Sequence, residues 1–301
     1  MPPRRRARRR ALALPVAAAL LLAGCTSGGQ DGSEDTDRGA PAGSGAEPAP
    51  APQWNTSPQS LAAIGDSITR AFDACSLLSD CPEVSWATGT DSGMASLAQQ
   101  LLGDEASVAE RSWNLAESGA QAADLPAQAR EAVAHEPALV TVMIGGNDAC
   151  APDVESMTPV ADFRAYFTET VDIIRGQLPQ SQVYVSSVPD LMQLWSEGSD
   201  SMLARSVWQM ASICPSMLGD AGDDSAAAEE RREAVRTRVQ EYNEVLAEVC
   251  NADVLCRYDG GAVFDFDFTS HHLSDWDWFH PSREGQSTLA ALAYEQVTMQ
   301  G

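Results

Sequence analysis

Gly65-Asp66-Ser67 closes a short apolar run, and a helix-like stretch, ITRAFDAC, follows it. A serine at such a junction can cap a helix, or its hydroxyl can act as a nucleophile. A hydroxyl is a weak nucleophile and needs three helpers: a base, a group that orients the base, and donors for the developing oxyanion. The chain offers four histidines as bases. His135 ends a helical pattern in AVAHEP and reads as solvated. His271 and His272 form a pair in a loop and receive no role. His280 lies in DWDWFHPS, with Asp277 three residues before it and Pro281 after it. A carboxylate at that spacing, on a tight turn, can hold the imidazole in one tautomer. Asp275, five residues before His280, is the weaker rival for the same task.

The elements that must position these residues alternate along the chain. SLAAIGDS reads as a strand feeding a loop, SVAERSWNLA as strand-like, and ALVTVMIGGND as a buried, β-branched strand broken by two glycines. QVYVSSVPD and DVLCRYDGG read as two further strands. Between them, SGMASLAQQLLG, AADLPAQAREAVAHE, PVADFRAYFTETVDIIRGQL, AAAEERREAVRTRVQEYNEVLAEVC and SREGQSTLAALAYEQV read as helices. Alternation of this kind predicts an α/β fold: a three-layer sandwich, its parallel sheet flanked by helices on both faces. Ligands of such sheets bind outside the carboxyl ends of the strands, where GDS and GGND stand.

The 301 residues are 44% hydrophobic, enough for one core of roughly 240 residues. Acidic residues outnumber basic ones 43 to 19, for a net charge of −24, and every basic residue is Arg. A surface this acidic repels nucleic acid and anionic membranes. Residues 1–24 read as an export signal: a basic MPPRRRARRR, a 13-residue apolar stretch too short to span a bilayer, then Leu22-Ala23-Gly24-Cys25. That string resembles the bacterial lipoprotein signal, which implies cleavage before Cys25 and its lipidation. The paired arginines more loosely resemble a twin-arginine export signal. Residues 25–57 read as the lipidated cysteine and a disordered tether of Gly, Ser, Pro, Ala and acid. Residues 58–301 are expected to form the folded domain.

Six cysteines remain, an even number that suits an exported, disulfide-bonded chain. Six allow 15 pairings. The short spacings in CSLLSDC and CNADVLC favour Cys75–Cys81 and Cys250–Cys256, which leaves Cys150–Cys214. No C-x-x-C spacing occurs, which argues against zinc.

GDSIT (65–69), NLAESGA (114–120), GGND (145–148) and DWFHPS (277–282) occur in that order. Together they resemble the four blocks of the SGNH, or GDSL, hydrolases. GDSITRAFDAC, CPEVSWATG, MIGGNDAC, VPDLMQLW and FHPSREGQSTLA extend the resemblance to the phospholipase-B-like branch of exported bacterial esterases and lipases, over roughly residues 60 to 298. GDSIT lacks the second glycine of G-x-S-x-G, so the α/β-hydrolase elbow is not the comparison. The resemblance implies Ser67 as nucleophile, His280 as base and Asp277 as its orienter. It implies an oxyanion hole of the Ser67 and Gly119 N–H groups and the Asn147 side-chain amide. No cofactor or metal is implied.

The expected activity is therefore extracytoplasmic ester hydrolysis through an acyl-enzyme on Ser67. Two alternatives use the same sequence: a carbohydrate O-acetylesterase with the same triad, and a surface lipoprotein that binds without turnover. Trp86, Trp195, Trp276 and Trp278 could line an acyl or sugar site, though core or rim packing suits most of them. The expected partner is a small-molecule or lipid ester, with membrane contact through the lipid anchor alone, and the chain is expected to be a monomer.

Overall fold

The computed structural model describes residues 52–300. The expected signal, Cys25 and most of the tether lie outside the described residues. Trp54, counted with the tether, is attached to the domain: its indole N–H donates to the Val297 carbonyl at 2.8 Å, and Arg257 lies over its ring.

In chain order the elements are β1 (Leu61–Gly65), α1 (Leu97–Leu102), α2 (Glu105–Arg111), β2 (Ser112–Asn114), α3 (Leu125–Val133), β3 (Leu139–Met143), α4 (Gly146–Ala149), α5 (Val160–Gln177), β4 (Gln182–Val185), α6 (Leu191–Gly198), α7 (Met202–Ala211), α8 (Pro215–Leu218), α9 (Ala226–Asn251), β5 (Cys256–Tyr258) and α10 (Arg283–Thr298). Among the described residues the five strands form one sheet in the order β2-β1-β3-β4-β5, every neighbouring pair parallel. Strand residues alternate between two cores, as the period of two requires. Ala62, Ile64, Val140, Val142, Val183 and Val185 pack with α3, α5 and α9 on one face. Leu61, Ala63, Leu139, Met143 and Tyr184 pack with α1 and α10 on the other. Burial on both faces is why β1 is apolar throughout and β3 is so at all but Thr141, rather than alternating.

Two local expectations need correction, and one segment carried none. No regular helix follows Ser67; residues 67–73 form a turn. The Arg70 N–H reaches the Asp66 carbonyl as in a helix, but the Phe72 N–H passes over Ile68, its helical partner, to the Ser67 carbonyl, and Ala71 and Asp73 take positive φ. SVAERSWNLA begins as helix α2, capped by the Asp104 side chain on the Ser107 N–H, and only Ser112–Asn114 is strand. The segment between β4 and α9, for which the pattern gave no expectation, holds α6, α7 and α8.

The three disulfides are Cys75–Cys81, Cys150–Cys214 and Cys250–Cys256, the pairs favoured by spacing. They suit an oxidising compartment. No described helix is long and apolar enough to cross a membrane.

Candidate active site

The chain enters the sheet at β1, moves outward to β2, then returns to the other side of β1 as β3. The connections therefore diverge at the carboxyl ends of β1 and β3, the place where open α/β sheets bind ligands. Ser67 follows β1, the 115–120 loop follows β2, and Asn147 follows β3.

Gly65 makes the exit from β1 possible. Its φ is +145°, and a Cβ there would lie 2.1 Å from the Met143 carbonyl oxygen, so no other residue fits. The Asp66 carboxylate accepts the Ile68 N–H at 2.9 Å, which shapes the turn from below. The Ser67 hydroxyl is thus not spent on a cap. It lies 2.9 Å from Nε2 of His280.

The late loop presents His280. Asp277 Oδ1 accepts the backbone N–H groups of Phe279 and His280, at 2.9 and 3.0 Å. Its Oδ2 lies 2.5 Å from His280 Nδ1. A carboxylate holding two N–H groups can only accept a third, so Nδ1 carries the imidazole proton and Nε2 is left to accept from the Ser67 hydroxyl. The loop is braced by the Ser274 N–H on the His280 carbonyl and by the Trp208 indole on the Asp277 carbonyl. Phe72 and Phe279 flank the imidazole ring.

The 115–120 loop continues the pairing of β2 with β1, because the Glu117 N–H donates to the Gly65 carbonyl at 3.1 Å. Gly119 stands two residues on, at φ +87°. That backbone angle, rather than crowding, explains the glycine: a Cβ there would meet no atom within 4 Å. The Asn147 amide nitrogen donates to the Ala120 carbonyl at 2.9 Å, and Gln121 donates back to the Asn147 carbonyl. An amide nitrogen carries two hydrogens, and the Ala120 bond uses one.

The remaining candidates stand elsewhere. Asp275 is exposed and makes no hydrogen bond to His280. His135 stacks on Trp113, and His272 packs edge-on against Phe266 and Phe268. Trp86 is core and Trp195 lies under the Arg232 guanidinium, while Trp276 is half-exposed beside the late loop.

Several supporting residues received no role in the sequence reading. Gln128 bonds both backbone groups of Gly65. Gln286, fully buried, donates to the Ile68 carbonyl and accepts from Trp86 N–H. Asn114 donates to the Thr69 carbonyl and the Thr88 hydroxyl. Buried carboxyls also gather beneath the site. Burial, opposed by the Ile68 N–H and His280, raises Asp66 to about 7. Burial likewise raises Asp148 to about 6. Burial and the neighbouring Asp277 raise Asp73.

A buried carboxylate, an imidazole and a hydroxyl in series can move a proton from hydroxyl to ring while an oxygen nucleophile forms. Comparison with known proteins bears on what that chemistry serves. No curated protein matches the chain in sequence. Among solved structures, the chain is similar to an extracellular lipase from Streptomyces rimosus, at 18% identity over 78% of this chain and 99% of that one, TM-score 0.43. It is similar to a family 3 carbohydrate esterase from Clostridium thermocellum, at 15% over 79% and 94%, TM-score 0.46. It is also similar to a GDSL-like lipase of Parabacteroides merdae, at 17% over 82% and 99%, TM-score 0.42. Likenesses at this level say nothing of substrate. Residues 61–293, from the first residue of β1 to within α10, match the family model of GDSL-like lipases and acylhydrolases. The chain belongs to that family and is a carboxylic ester hydrolase of the SGNH type.

Proposed function

We propose that the protein hydrolyses acyl esters through an acyl-enzyme on Ser67. The observation that carries this reading is the unbroken series Asp277–His280–Ser67, with contacts of 2.5 and 2.9 Å. His280 Nε2 takes the hydroxyl proton as Ser67 Oγ attacks the ester carbonyl, and the imidazolium that forms is stabilised by Asp277. The tetrahedral oxyanion takes hydrogen bonds from the Ser67 and Gly119 N–H groups and from the Asn147 amide. His280 then gives the proton to the leaving alkoxide. Water attacks the acyl-enzyme by the same route in reverse, releasing the acid. Because Ser67 sits in a turn rather than at the head of a helix, oxyanion stabilisation falls to these three donors.

In this reading residues 1–24 direct export and lipid on Cys25 holds the domain, residues 58–301, outside the cell by the 25–57 tether. The acidic body and the disulfides agree with that placement. The phospholipase-B-like branch points to lipid or small-alcohol esters.

The test is hydrolysis of p-nitrophenyl acetate, butyrate and palmitate by the exported chain, with Ser67→Ala and Asp277→Ala beside it. Loss of about 10⁴-fold or more in kcat for Ser67→Ala, and a large drop for Asp277→Ala, is the expected result. A folded parent inert on all three would transfer the reading to acetylated sugars, tested next. Inertness there too would leave ester binding without turnover.

A further inference from the structure

Asp80 stands in the loop that the Cys75–Cys81 disulfide closes, and nothing in the site described above gives it a role. Its backbone is held on both sides. The Cys81 N–H donates to the Arg70 carbonyl at 3.1 Å, and the Ser79 carbonyl accepts the Asp73 N–H at 2.9 Å. The two oxygens of its carboxylate serve different loops. Oδ2 accepts the Arg70 Nε–H at 3.1 Å, and Oδ1 accepts the Ser118 hydroxyl at 2.5 Å. Arg70 belongs to the turn that carries Ser67, where its own N–H donates to the Asp66 carbonyl at 3.1 Å. Ser118 is the residue before Gly119.

Residues 117–120 form a tight turn. The Ala120 N–H donates to the Glu117 carbonyl at 3.0 Å, and Gly119, in the third position, takes φ +87°, as a type II turn requires. The foot of this turn is tied inward, by the Glu117 N–H on the Gly65 carbonyl and by the Asn147 amide on the Ala120 carbonyl. Its tip is exposed, and a Cβ at Gly119 would meet no atom within 4 Å, so packing does not hold it. The Ser118 hydroxyl on Asp80 does. One carboxylate therefore joins the two turns whose backbone N–H groups, those of Ser67 and Gly119, are assigned to the oxyanion. Resting on the hydrolase reading above, we propose that Asp80 is a positioning residue: it holds the Gly119 turn at a fixed distance from the Ser67 turn and so sets the width of the oxyanion hole.

Magnitudes place this role in turnover rather than in folding. The Arg70 and Asp80 side chains are 25% and 33% exposed, and Ser118 lies at the surface. Ion pairs and hydrogen bonds so placed add little to stability. Oxyanion donors are more demanding, because they act at about 2.7–3.1 Å from the oxygen they stabilise. A displacement of about 1 Å can cost about 10²-fold in rate. A link too weak to matter to the fold can thus matter to kcat. Its anchor is firm: Cys81, next to Asp80, is buried and disulfide-bonded, so the carboxylate is carried on a fixed backbone.

The experiment compares the whole exported chain with Asp80→Ala, Ser118→Ala, the double variant and Asp80→Asn. Each Ala change should lower kcat about tenfold with KM nearly unchanged, because the donors it misplaces act in the transition state. The double variant should fall no further than either single one, since both remove the same link. Asp80→Asn keeps the link: its amide oxygen accepts from Arg70, and its NH₂ donates to the Ser118 hydroxyl, which accepts as well as donates. It should stay within about threefold of the parent. Either Ala variant at the parent's kcat, losses that multiply in the double variant, or an Asn variant as slow as the Ala one overturns the proposal. The order parameter of the Gly119 N–H, from ¹⁵N NMR relaxation, gives the comparison without turnover. It should drop in both Ala variants and hold in Asp80→Asn, and equal values in all of them overturn the proposal too. That reading decides the part of Asp80 even if no ester is hydrolysed, and a parent inert on esters bears on the hydrolase reading instead. Should Asp80→Ala fail to fold, Ser118→Ala and Asp80→Asn carry the test.

Discussion

The Gln128 side chain closes two hydrogen bonds on Gly65: its Oε1 accepts the glycine N–H at 2.7 Å and its Nε2 donates to the glycine carbonyl at 3.0 Å. A side-chain amide on α3 thus replaces a backbone partner at the last residue of β1, one residue before Asp66 and two before Ser67. All atoms involved are buried, so the pair must be made within the protein.

Gln128→Leu leaves the Gly65 N–H unpaired, whereas the carbonyl keeps the Glu117 N–H. A loss of about 1–3 kcal/mol is expected, read as a lowered denaturant midpoint at unchanged slope. Gln128→Glu can still accept but not donate, and should fall between parent and Leu. Equal midpoints for Leu and parent would mean that the amide holds nothing at this position.

Asn147→Ala removes a donor assigned to the oxyanion and the bond to the Ala120 carbonyl. kcat should fall by about 10²–10³ with a much smaller change in KM. A change confined to KM would assign Asn147 to ground-state binding and take it out of the oxyanion hole.

Asp66 sets a pH dependence of stability. Its folded value is about 7, against 3.8 for the free group, because burial favours the neutral form; Asp148 and His280 face it with opposite effects. The folded state therefore binds the proton more tightly than the unfolded chain. This contribution is fully present below pH 3.8, is lost as pH rises towards 7, and is flat above it. Asp66→Asn removes the charge and keeps an acceptor for Ile68. It should exceed the parent in stability at pH 8 by up to about 4 kcal/mol and match it near pH 4, by urea unfolding. Equal curves at both pH values would show that Asp66 is not forced neutral.

Cys150–Cys214 spans 64 residues, from the end of α4 to the start of α8, whereas each of the other two bridges spans 6. Replacing both cysteines of the long bridge with Ala should cost about 4 kcal/mol on the chain-entropy account, and the short loops less apiece. Thermal scans of the three double variants would rank them, and a long-bridge variant as stable as the parent would defeat the account.

The three central strands, β1, β3 and β4, were legible because buried parallel strands are short, mostly apolar runs that end in glycine or polar loops, as LAAIG and LVTVM do; β2 and β5, SWN and CRY, are half-buried, and SVAERSWNLA concealed a helix before its strand. The turn after Ser67 was not. ITRAF has helix-compatible composition, and nothing in an alanine announces the positive φ that Ala71 adopts. Asp277 and His280 were legible as a pair because one turn carries both. Asn114, Gln128 and Gln286 were given no role for the opposite reason. Each acts on a partner 45 to 218 residues away, and such links leave no period in the sequence.

Only one of the two contacts in the Asp277–His280–Ser67 series depends on the fold as a whole. His280 and Asp277 are 3 residues apart, but His280 and Ser67 are 213 apart. The Asp277–His280 pair travels as a single piece, so the sheet has only the distance between that piece and the end of β1 to maintain. Strain, heat or a grafted loop elsewhere would be felt by the site as one coordinate, the gap between an imidazole nitrogen and a serine oxygen.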